Sequence, residues 1–344
     1  MKEEPTTASA NADAGITGPP PVVSIVVPCY REEEALAANI PILTGLLADF
    51  IREGIAAPGS EIVFVDDGSS DGTWDAVTRA HAASPRVRGV SLAANSGHQN
   101  ALLAGFAAAR GDFVISIDAD LQDDVSVMRD MIQDGRRGID IVYGVRRARD
   151  TDTFFKRFTA ESFYRVMRLF GVNLVFNHAD YRGMSRRALQ ALLDYPEKAM
   201  FLRGIVAQIG FRTSRVYYAR KKRTAGESKY PLTKMAAFAV SGITSFSFAP
   251  LRMVTLLGLA LFLLSFCLVA WILWIRFATD RAVPGWASSL FIQSVFGGIQ
   301  LLCLGIIGEY LAIIFKEVKN RPRYHVKATT DDAPPEGVEG KNNA

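Results

Sequence analysis

The chain has 344 residues, with 39 Lys and Arg against 35 Asp and Glu, and its net charge is only +4. This modest charge and the lack of a known nucleic-acid module argue against a nucleic-acid-binding protein. Three cysteines, Cys29, Cys267 and Cys303, show neither a pairing pattern nor a metal spacing, which favours a reduced compartment. The segments 1–21 and 327–344 have compositions that predict disordered tails.

Short apolar runs alternate with helical patterns between residues 22 and 145. The runs predict strands over 22–27 (closed by Pro28), 61–65, 87–92, 113–117 and 139–143. The patterns between them predict helices over 33–53, 73–83, 99–109 and 125–137. This alternation predicts an α/β domain, in which a mostly parallel sheet carries helices on both faces. Right-handed crossovers then place the loops that follow the strands on one rim of the sheet.

The strand predicted at 113–117 ends in two carboxylates, Asp118 and Asp120, with one residue between them. Such a pair suits Mg²⁺ or Mn²⁺, which take oxygen ligands and keep positions open for phosphate oxygens. Ligands of open α/β sheets bind at the carboxyl ends of strands, where this pair lies. The motif therefore predicts a metal-bound diphosphate, although a solvated acidic turn has the same pattern.

Three other loops share the predicted rim, at 28–32, 66–71 and 95–100. Asp66 and Asp67 follow the second strand, where a carboxylate can accept from a base N–H or a ribose hydroxyl. Gly97 opens a helix whose N–H groups can face a phosphate or a sugar. The sequence has neither a P-loop nor a G-x-G-x-x-G motif, so the diphosphate is not held as in those folds.

Two segments near the C-terminus have the apolar length of membrane spans. Residues 254–275 contain no charged side chain, and residues 286–315 contain only Glu309. A bilayer requires about 20 apolar residues for one helix. The pattern therefore predicts a transmembrane hairpin of two helices.

Basic residues predict the orientation of this hairpin. Arg252 precedes the first span and Lys316 and Lys319 follow the second, so the positive-inside rule places both ends in the cytoplasm. The predicted domains are a disordered tail (1–21), a cytoplasmic catalytic domain (22–228), juxtamembrane interfacial helices (229–250), two transmembrane helices (251–277 and 286–316) and a cytoplasmic tail (317–344).

Three motifs resemble those of family 2 glycosyltransferases, which have the Rossmann-like GT-A fold. They are SIVVPCYREEE at 24–34, VDDGSSDGT at 65–73 and DADLQD at 118–123. The most similar branch acts on polyprenyl phosphates and includes bactoprenol glucosyltransferases, aminoarabinose-transferring relatives and dolichol-phosphate mannose synthases. The resemblance covers about residues 22–323, including the predicted hairpin.

The resemblance implies a role for each matching residue. The nucleotide-sugar pocket is expected to contain Pro28, Tyr30, Glu32, Asp66, Asp67, Gly97, Gln99, Asp118 and Ala119. The metal ligands are expected to be Asp118, Asp120 and Gln122. Asp180 is the expected catalytic residue beside the acceptor, whose phosphate would meet Arg203, Arg223, Ser228 and Lys229.

The implied reaction is an inverting, metal-dependent transfer of one sugar from a UDP-hexose, such as UDP-glucose, to undecaprenyl phosphate. The expected cofactor is Mg²⁺ or Mn²⁺, and the expected place is the cytoplasmic face of a bacterial inner membrane. The acceptor phosphate has a second pKa of about 6, so Asp180 is expected to orient it or take a residual proton. The expected partners are the donor, the lipid acceptor, the membrane, a second copy of the chain, a separate flippase and a downstream glycosyltransferase, without nucleic acid.

Other interpretations fit some of the same residues. A non-catalytic membrane scaffold or translocation subunit can retain the shell of a glycosyltransferase. A transferase can also use mannose, an N-acetylhexosamine or aminoarabinose, or another lipid. A processive polysaccharide synthase is disfavoured, because the sequence lacks a Gln-x-x-Arg-Trp motif and further spans. Asp180 can also serve only as a salt-bridge partner of Arg182 or Arg203.

Overall fold

The computed structural model describes residues 18–146, 178–197, 202–219, 249–278 and 286–332. These residues divide into two compact units. The sheet unit contains the described residues up to 219 together with 322–332, and the helical unit contains 249–278 and 286–321.

An eight-stranded mixed sheet forms the centre of the sheet unit. Its strands are β1 (Val23–Cys29), β2 (Glu61–Asp66), β3 (Val87–Leu92), β4 (Phe113–Ser116), β5 (Ile141–Arg146), β6 (His178–Ser185), β7 (Thr213–Tyr218) and β8 (Val326–Thr329). Their order across the sheet is β7-β5-β6-β4-β1-β2-β3-β8. Strands β6 and β8 run antiparallel to their neighbours, and the other pairs are parallel.

Six helices accompany this sheet in the described part of the chain. They are α1 (Glu33–Arg52), α2 (Thr73–Ala83), α3 (His98–Ala108), α4 (Met128–Arg136), α5 (Arg186–Leu193) and α6 (Leu202–Gln208). Helices α1, α2 and α4 bury their apolar residues in one core cluster with alternate residues of β1, β2 and β4. Helix α3 packs on β1 and β2 from the other face, with α5 beside it. Because both faces are covered, β1, β2 and β4 are continuous buried runs.

The predicted strands and helices between residues 22 and 145 are confirmed, with small shifts at their ends. The first strand does not end before Pro28 but continues to Cys29, paired with β2. The helix predicted over 125–137 is divided into a 3₁₀ turn (Val125–Val127) and α4.

Strand β8 corrects the prediction of a disordered tail from residue 327, which is wrong for residues 327–332. Its backbone pairs with β3, and the carboxylate of Asp331 accepts from Arg88 and Arg110 at 2.6 and 2.8 Å. Polar, partly exposed residues are typical of an edge strand as well as of disorder. The partners that distinguish the two lie more than two hundred positions earlier in the chain.

The helical unit contains two long helices, α7 (Ala249–Ala278) and α8 (Trp286–Val318), of 30 and 33 residues. At 1.5 Å per residue these helices are about 45 and 50 Å long, which exceeds the roughly 30 Å apolar core of a bilayer. Their large apolar side chains are widely exposed, for example Leu256 at 65% and Leu301 at 72%.

Two helices of the described part are long and apolar enough to cross a membrane, judged by length and composition alone. They are α1 and the segment Val295–Val318 of α8, and α7 adds a shorter apolar helix at Leu251–Leu261. Helix α1 buries Leu36, Leu43 and Leu47 in the core of the sheet unit, so it is a core helix. The predicted interfacial helices at 229–250 lie almost entirely outside the described residues.

Candidate active site

The carboxyl ends of β1, β2, β3 and β4 meet at one rim of the sheet, as expected for parallel neighbours. Strand β6 runs the opposite way, so its first residues lie at the same rim. Ser116, at the end of β4, donates its hydroxyl to the backbone carbonyl of Asp180 at 2.5 Å. This pairing brings Asp180 to the loop that begins with Asp118.

Asp118 and Asp180 both face the imidazole of His98, the first residue of α3. The Nε2 atom of His98 lies 3.6 Å from Asp118 Oδ1 and 3.6 Å from Asp180 Oδ2. Burial raises the pKa of Asp118, and the negative charges of Asp180, Asp123 and Asp120 raise it further against the opposing effect of His98. The carboxylates here therefore repel one another, with one imidazole between two of them.

Asp180 is held by two arginines. Arg182 Nη2 donates to Oδ1 at 2.5 Å, while Arg203 donates to Oδ1 at 3.2 Å and to Oδ2 at 3.0 Å. Burial alone would raise the pKa of Asp180, but His98 and both arginines hold it well below the usual range. Both salt bridges that the sequence left as alternatives are present, and the carboxylate is ionised at neutral pH.

Asp120 and Gln122 are joined within the loop 118–122. Asp120 accepts from the backbone N–H of Gln122 at 3.3 Å and from its side-chain amide at 2.6 Å. Asn39, on α1, donates to the backbone carbonyl of Ala119 at 2.7 Å. The predicted metal ligands therefore belong to one short loop that α1 supports.

The loop 118–122 fits a divalent cation that a diphosphate completes. Among the described residues, no group of three His, Cys, Asp or Glu side chains is placed to hold a metal ion. Mg²⁺ is commonly held by one or two carboxylates together with substrate phosphates, so a full protein cage is not required. The side chain of Asp118 is 40% exposed, and a cation would relieve the repulsion between carboxylates that adds to the effect of burial on its pKa.

Asp66 and Asp67 organise the backbone of the neighbouring loops. Asp66 accepts from the N–H of Ser69 and the hydroxyl of Ser91, each at 3.0 Å. Asp67 accepts from the N–H groups of Ser96 and Gly97 at 2.7 and 3.0 Å. The N–H of Gly97 is therefore used within the protein, which differs from its expected contact with a phosphate.

Tyr30 presents an aromatic surface beside these loops. Its side chain is 42% exposed, and the guanidinium of Arg31 lies 5.3 Å from its ring centroid. Arg31 has φ of 55°, in the left-handed region, and donates its N–H to Ser69. Pro28 is buried in β1, and the backbone N–H of Glu32 donates to Thr73 at 3.0 Å. The loop after β1 is thus fastened to the loop after β2.

Gln99 connects the predicted donor and acceptor sides. Its side-chain oxygen accepts from the backbone N–H of Leu202 at 3.0 Å, at the start of α6, which carries Arg203. Three predicted acceptor residues, Arg223, Ser228 and Lys229, lie outside the described residues.

Five residues that the sequence did not assign to the site contribute to its geometry. They are Asn39, His98, Asp123, Arg146 and Arg182. Asp123 is the residue among them that the sequence could have indicated, because it belongs to the DADLQD motif. Arg182 is almost fully buried, and its Nε and Nη1 atoms have no hydrogen-bond partner in the described part of the chain. Its role depends on Asp180, two residues earlier on the same strand.

The model of glycosyl transferase family 2 matches residues 24–193. The uncharacterized glycosyltransferase YkoT of Bacillus subtilis (strain 168) is 52% identical over 89% of this chain and 91% of its own length. The SfII prophage-derived bactoprenol glucosyl transferase of Shigella flexneri is 38% identical over 89% of this chain and 97% of its own length.

The similar solved structures have lower sequence identity to this chain than these relatives have. The mannosyltransferase PcManGT from Pyrobaculum calidifontis, in complex with GDP-Man and Mn²⁺, is 19% identical. Its match covers 88% of this chain and 89% of that one, with a TM-score of 0.39.

Proposed function

The chain belongs to glycosyl transferase family 2 and is a glycosyltransferase, and from that premise we propose that it transfers one sugar to a polyprenyl phosphate. The proposed donor is a UDP-hexose such as UDP-glucose, and the proposed acceptor is undecaprenyl phosphate. The Shigella relative is named a bactoprenol glucosyl transferase, and the likeness extends over nearly all of both chains.

A single observation carries this proposal. Asp118 and Asp180 each lie 3.6 Å from the imidazole of His98. Because their environments differ, the pKa of Asp118 is raised and that of Asp180 is lowered. Asp118 belongs to the loop suited to a metal-bound diphosphate, whereas Asp180 is tied to Arg203. A donor diphosphate on one side and an acceptor phosphate on the other would place the reacting atoms between them.

On the donor side, Asp118, Asp120 and Gln122 would hold Mg²⁺ or Mn²⁺. The cation, when bound, supplies Lewis-acid stabilisation of the departing diphosphate. Asp66 and Asp67 keep the loops in place with their own hydrogen bonds, and Tyr30 offers a ring for stacking on the base. We assign these residues to donor binding.

On the acceptor side, the phosphate monoester is largely ionised at neutral pH, with a second pKa of about 6. A strong base is therefore unnecessary. The pKa of Asp180 lies well below its usual range because of His98 and two arginines, so it is a weak base. Asp180 instead orients Arg203, whose positive charge attracts the acceptor phosphate. In-line attack by a phosphate oxygen then breaks the bond to the diphosphate and inverts the anomeric carbon.

The helical unit supports the proposal of a lipid acceptor. The exposed leucines of α7 and α8 need an apolar environment, which a bilayer provides. We propose that both helices cross a bacterial inner membrane. Three basic residues lie at the end of the second span, Lys316, Lys319 and Arg321. By the positive-inside rule, we propose that the sheet unit lies in the cytoplasm. Each of these residues gains about 1 kcal/mol near an anionic leaflet.

The test is a donor screen with the full chain in detergent. The protein is incubated with undecaprenyl phosphate, Mg²⁺ or Mn²⁺, and a panel of UDP- and GDP-sugars, and lipid products are identified by mass spectrometry. Asp120→Asn and a metal-free reaction are expected to abolish transfer. Asp194→Asn, an exposed residue after α5, is the matched control and is expected to retain it.

The donor that yields product identifies the sugar. Nucleotide binding without transfer from any donor would contradict the proposal. It would favour a non-catalytic scaffold or another lipid acceptor.

A further inference from the structure

Asp123, which directly follows the loop 118–122, is fixed by an arginine from another strand. Its carboxylate is almost fully buried, and Arg146, the last residue of β5, contacts both of its oxygens. The distances are 3.0 Å from Nε to Oδ1 and 3.0 Å from Nη2 to Oδ2. Such a planar, two-bond contact fixes the orientation of the carboxylate as well as its position.

Two tyrosines support the same end of the loop. Tyr218 ends β7 as the register partner of Arg146, and its ring meets that of Tyr181 edge-to-face at 5.5 Å. Tyr181 donates its hydroxyl to the backbone carbonyl of Asp124 at 3.0 Å. Residues of β5 and β6 therefore contact a connection that runs from β4 to α4, and Tyr218 of β7 packs on Tyr181 behind it.

The loop itself contains a conformation that needs support. Leu121 has φ of 43°, in the left-handed region, which is unfavourable for a residue with a side chain. Such conformations persist where the surroundings determine them. Asn39 anchors the loop at Ala119, and the pair of Asp123 and Arg146 anchors it after Gln122. Two of the expected metal ligands, Asp120 and Gln122, lie between these two anchors, and Asp118 directly precedes the first anchor.

We propose that the Asp123–Arg146 pair is a positioning device that sets the geometry of Asp118 and Asp120 for a divalent cation. This inference rests on the proposed function, since it assumes that the loop binds a metal. Neither member of the pair contacts the reacting atoms, so both are positioning residues. Loss of partners that orient metal ligands usually weakens metal binding by about 10- to 100-fold.

The other end of β5 offers a matched control. Asp140, the residue before β5, is as buried as Asp123 and receives the same two-bond contact from Arg187. The distances are 2.5 Å from Nε to Oδ1 and 2.6 Å from Nη2 to Oδ2. This pair lies at the amino ends of the parallel strands, on the rim opposite the loop.

The experiment compares Asp123→Asn with Asp140→Asn in the full chain. Mn²⁺ is the probe, and its binding in the presence of UDP is measured by electron paramagnetic resonance. We expect Asp123→Asn to weaken Mn²⁺ binding by about 10- to 100-fold. Asp140→Asn should leave it within about twofold of the wild type, because its pair does not contact the loop. Thermal unfolding of each variant reports stability separately.

Arg146 provides a second test that keeps the positive charge. Arg146→Lys loses the planar contact, and we expect weaker Mn²⁺ binding with a normally folded protein. It also decides the question if Asp123→Asn does not fold. In the transfer assay, the Mn²⁺ concentration for half-maximal activity should rise more than kcat falls. Equal Mn²⁺ binding by Arg146→Lys and wild type would overturn the positioning role.

The outcomes separate this inference from the proposed function. If the wild-type protein binds no Mn²⁺ in the presence of UDP, both the positioning role and the metal-dependent part of the proposed function would be contradicted. Wild-type protein that binds Mn²⁺ and transfers sugar, with unchanged binding in Asp123→Asn, would overturn the positioning role alone. Equal weakening by Asp123→Asn and Asp140→Asn would also overturn it, because the effect would then be a general loss of structure.

Discussion

The two rims of the sheet both carry carboxylates, but the surroundings of these carboxylates differ. At the amino ends of the strands, Glu61 accepts from Ser24, Arg88 and the backbone N–H of Arg110, at 2.7 to 2.9 Å. At the carboxyl ends, the side-chain partner of Asp118 within the described ranges is the imidazole of His98 at 3.6 Å. Burial and the charges of three carboxylates raise the pKa of Asp118. The amino rim balances its charges, whereas the carboxyl rim keeps an excess of negative charge around Asp118 that a bound cation would neutralise.

This difference indicates which carboxylates stabilise the fold and which are available for chemistry. A buried carboxylate with a matched arginine stabilises the native state, because its charged form is favoured there. A carboxylate raised in pKa by its neighbours opposes folding at neutral pH and is relieved by a bound cation. Asp123 and Asp180 are exceptions, since both lie on the carboxyl rim but are paired with arginines like the carboxylates of the amino rim.

The sharpest test of the contrast is Asp118→Asn. We expect transfer to fall about a thousandfold, because a metal ligand on the diphosphate contributes several kcal/mol to the transition state. The unfolding temperature should stay the same or rise, because the change removes a charge that its neighbours repel. Transfer assays and thermal unfolding check both parts, and a clear loss of stability would contradict the contrast.

Asp180→Asn should affect both activity and stability. We expect kcat to fall about a hundredfold, as is typical when a positioning contact is lost. The free energy of unfolding should fall by about 3 kcal/mol, because Arg182 stays buried without its carboxylate partner. Steady-state kinetics and denaturant unfolding measure the two effects. Unchanged stability would place Asp180 with Asp118 rather than with the amino rim.

Glu61→Gln tests the amino rim directly. Loss of the charged acceptor for Arg88 should lower the free energy of unfolding by about 2 kcal/mol. Activity per folded molecule should not change, since Glu61 lies at the opposite ends of the strands from Asp118. Denaturant unfolding and transfer at a low temperature check the two parts. A specific fall in kcat would show that the rims are coupled.

Asp331→Asn should have the smallest effect, below about 1 kcal/mol, because this ion pair is partly exposed. Hydrogen bonding from Arg88 lowers the pKa of Asp331, so the unfolded chain takes up its proton first as the pH falls. Its stabilisation is therefore complete above the unfolded pKa of about 4 and is lost as the pH falls through the lower native value. Unfolding at pH 7 and in acid measures this, and a variant equally destabilised at both would contradict it.

Much of the sheet was predictable, for a local reason. Strands β1 to β4 are apolar runs that must be buried on both faces, and the helices between them have clear patterns. Strands β6, β7 and β8 were not predicted as strands, because their sequences are more polar. Each becomes a strand through a neighbour that is distant in sequence, as β8 does through β3.

The candidate site was predictable to a similar extent. The motif of Asp118 and Asp120 was visible because both carboxylates lie in one loop after one strand. The arginines of Asp180, the partner of Asp123 and the hydrogen bonds of Asp67 were not, since their partners come from other elements. The predictions for Arg223, Ser228 and Lys229 stay predictions.

The amino-acid sequence alone was therefore enough to predict the family, the parallel part of the sheet and the loop that is suited to a metal. These features depend on short-range patterns of apolar and acidic residues. The electrostatic state of each carboxylate was decided only when the chain folded. Asp118, Asp140 and Asp180 are the same residue type, but burial and nearby carboxylates raise the pKa of Asp118. Hydrogen bonding from Arg187 lowers the pKa of Asp140, and His98 with two arginines lowers that of Asp180 against the effect of burial.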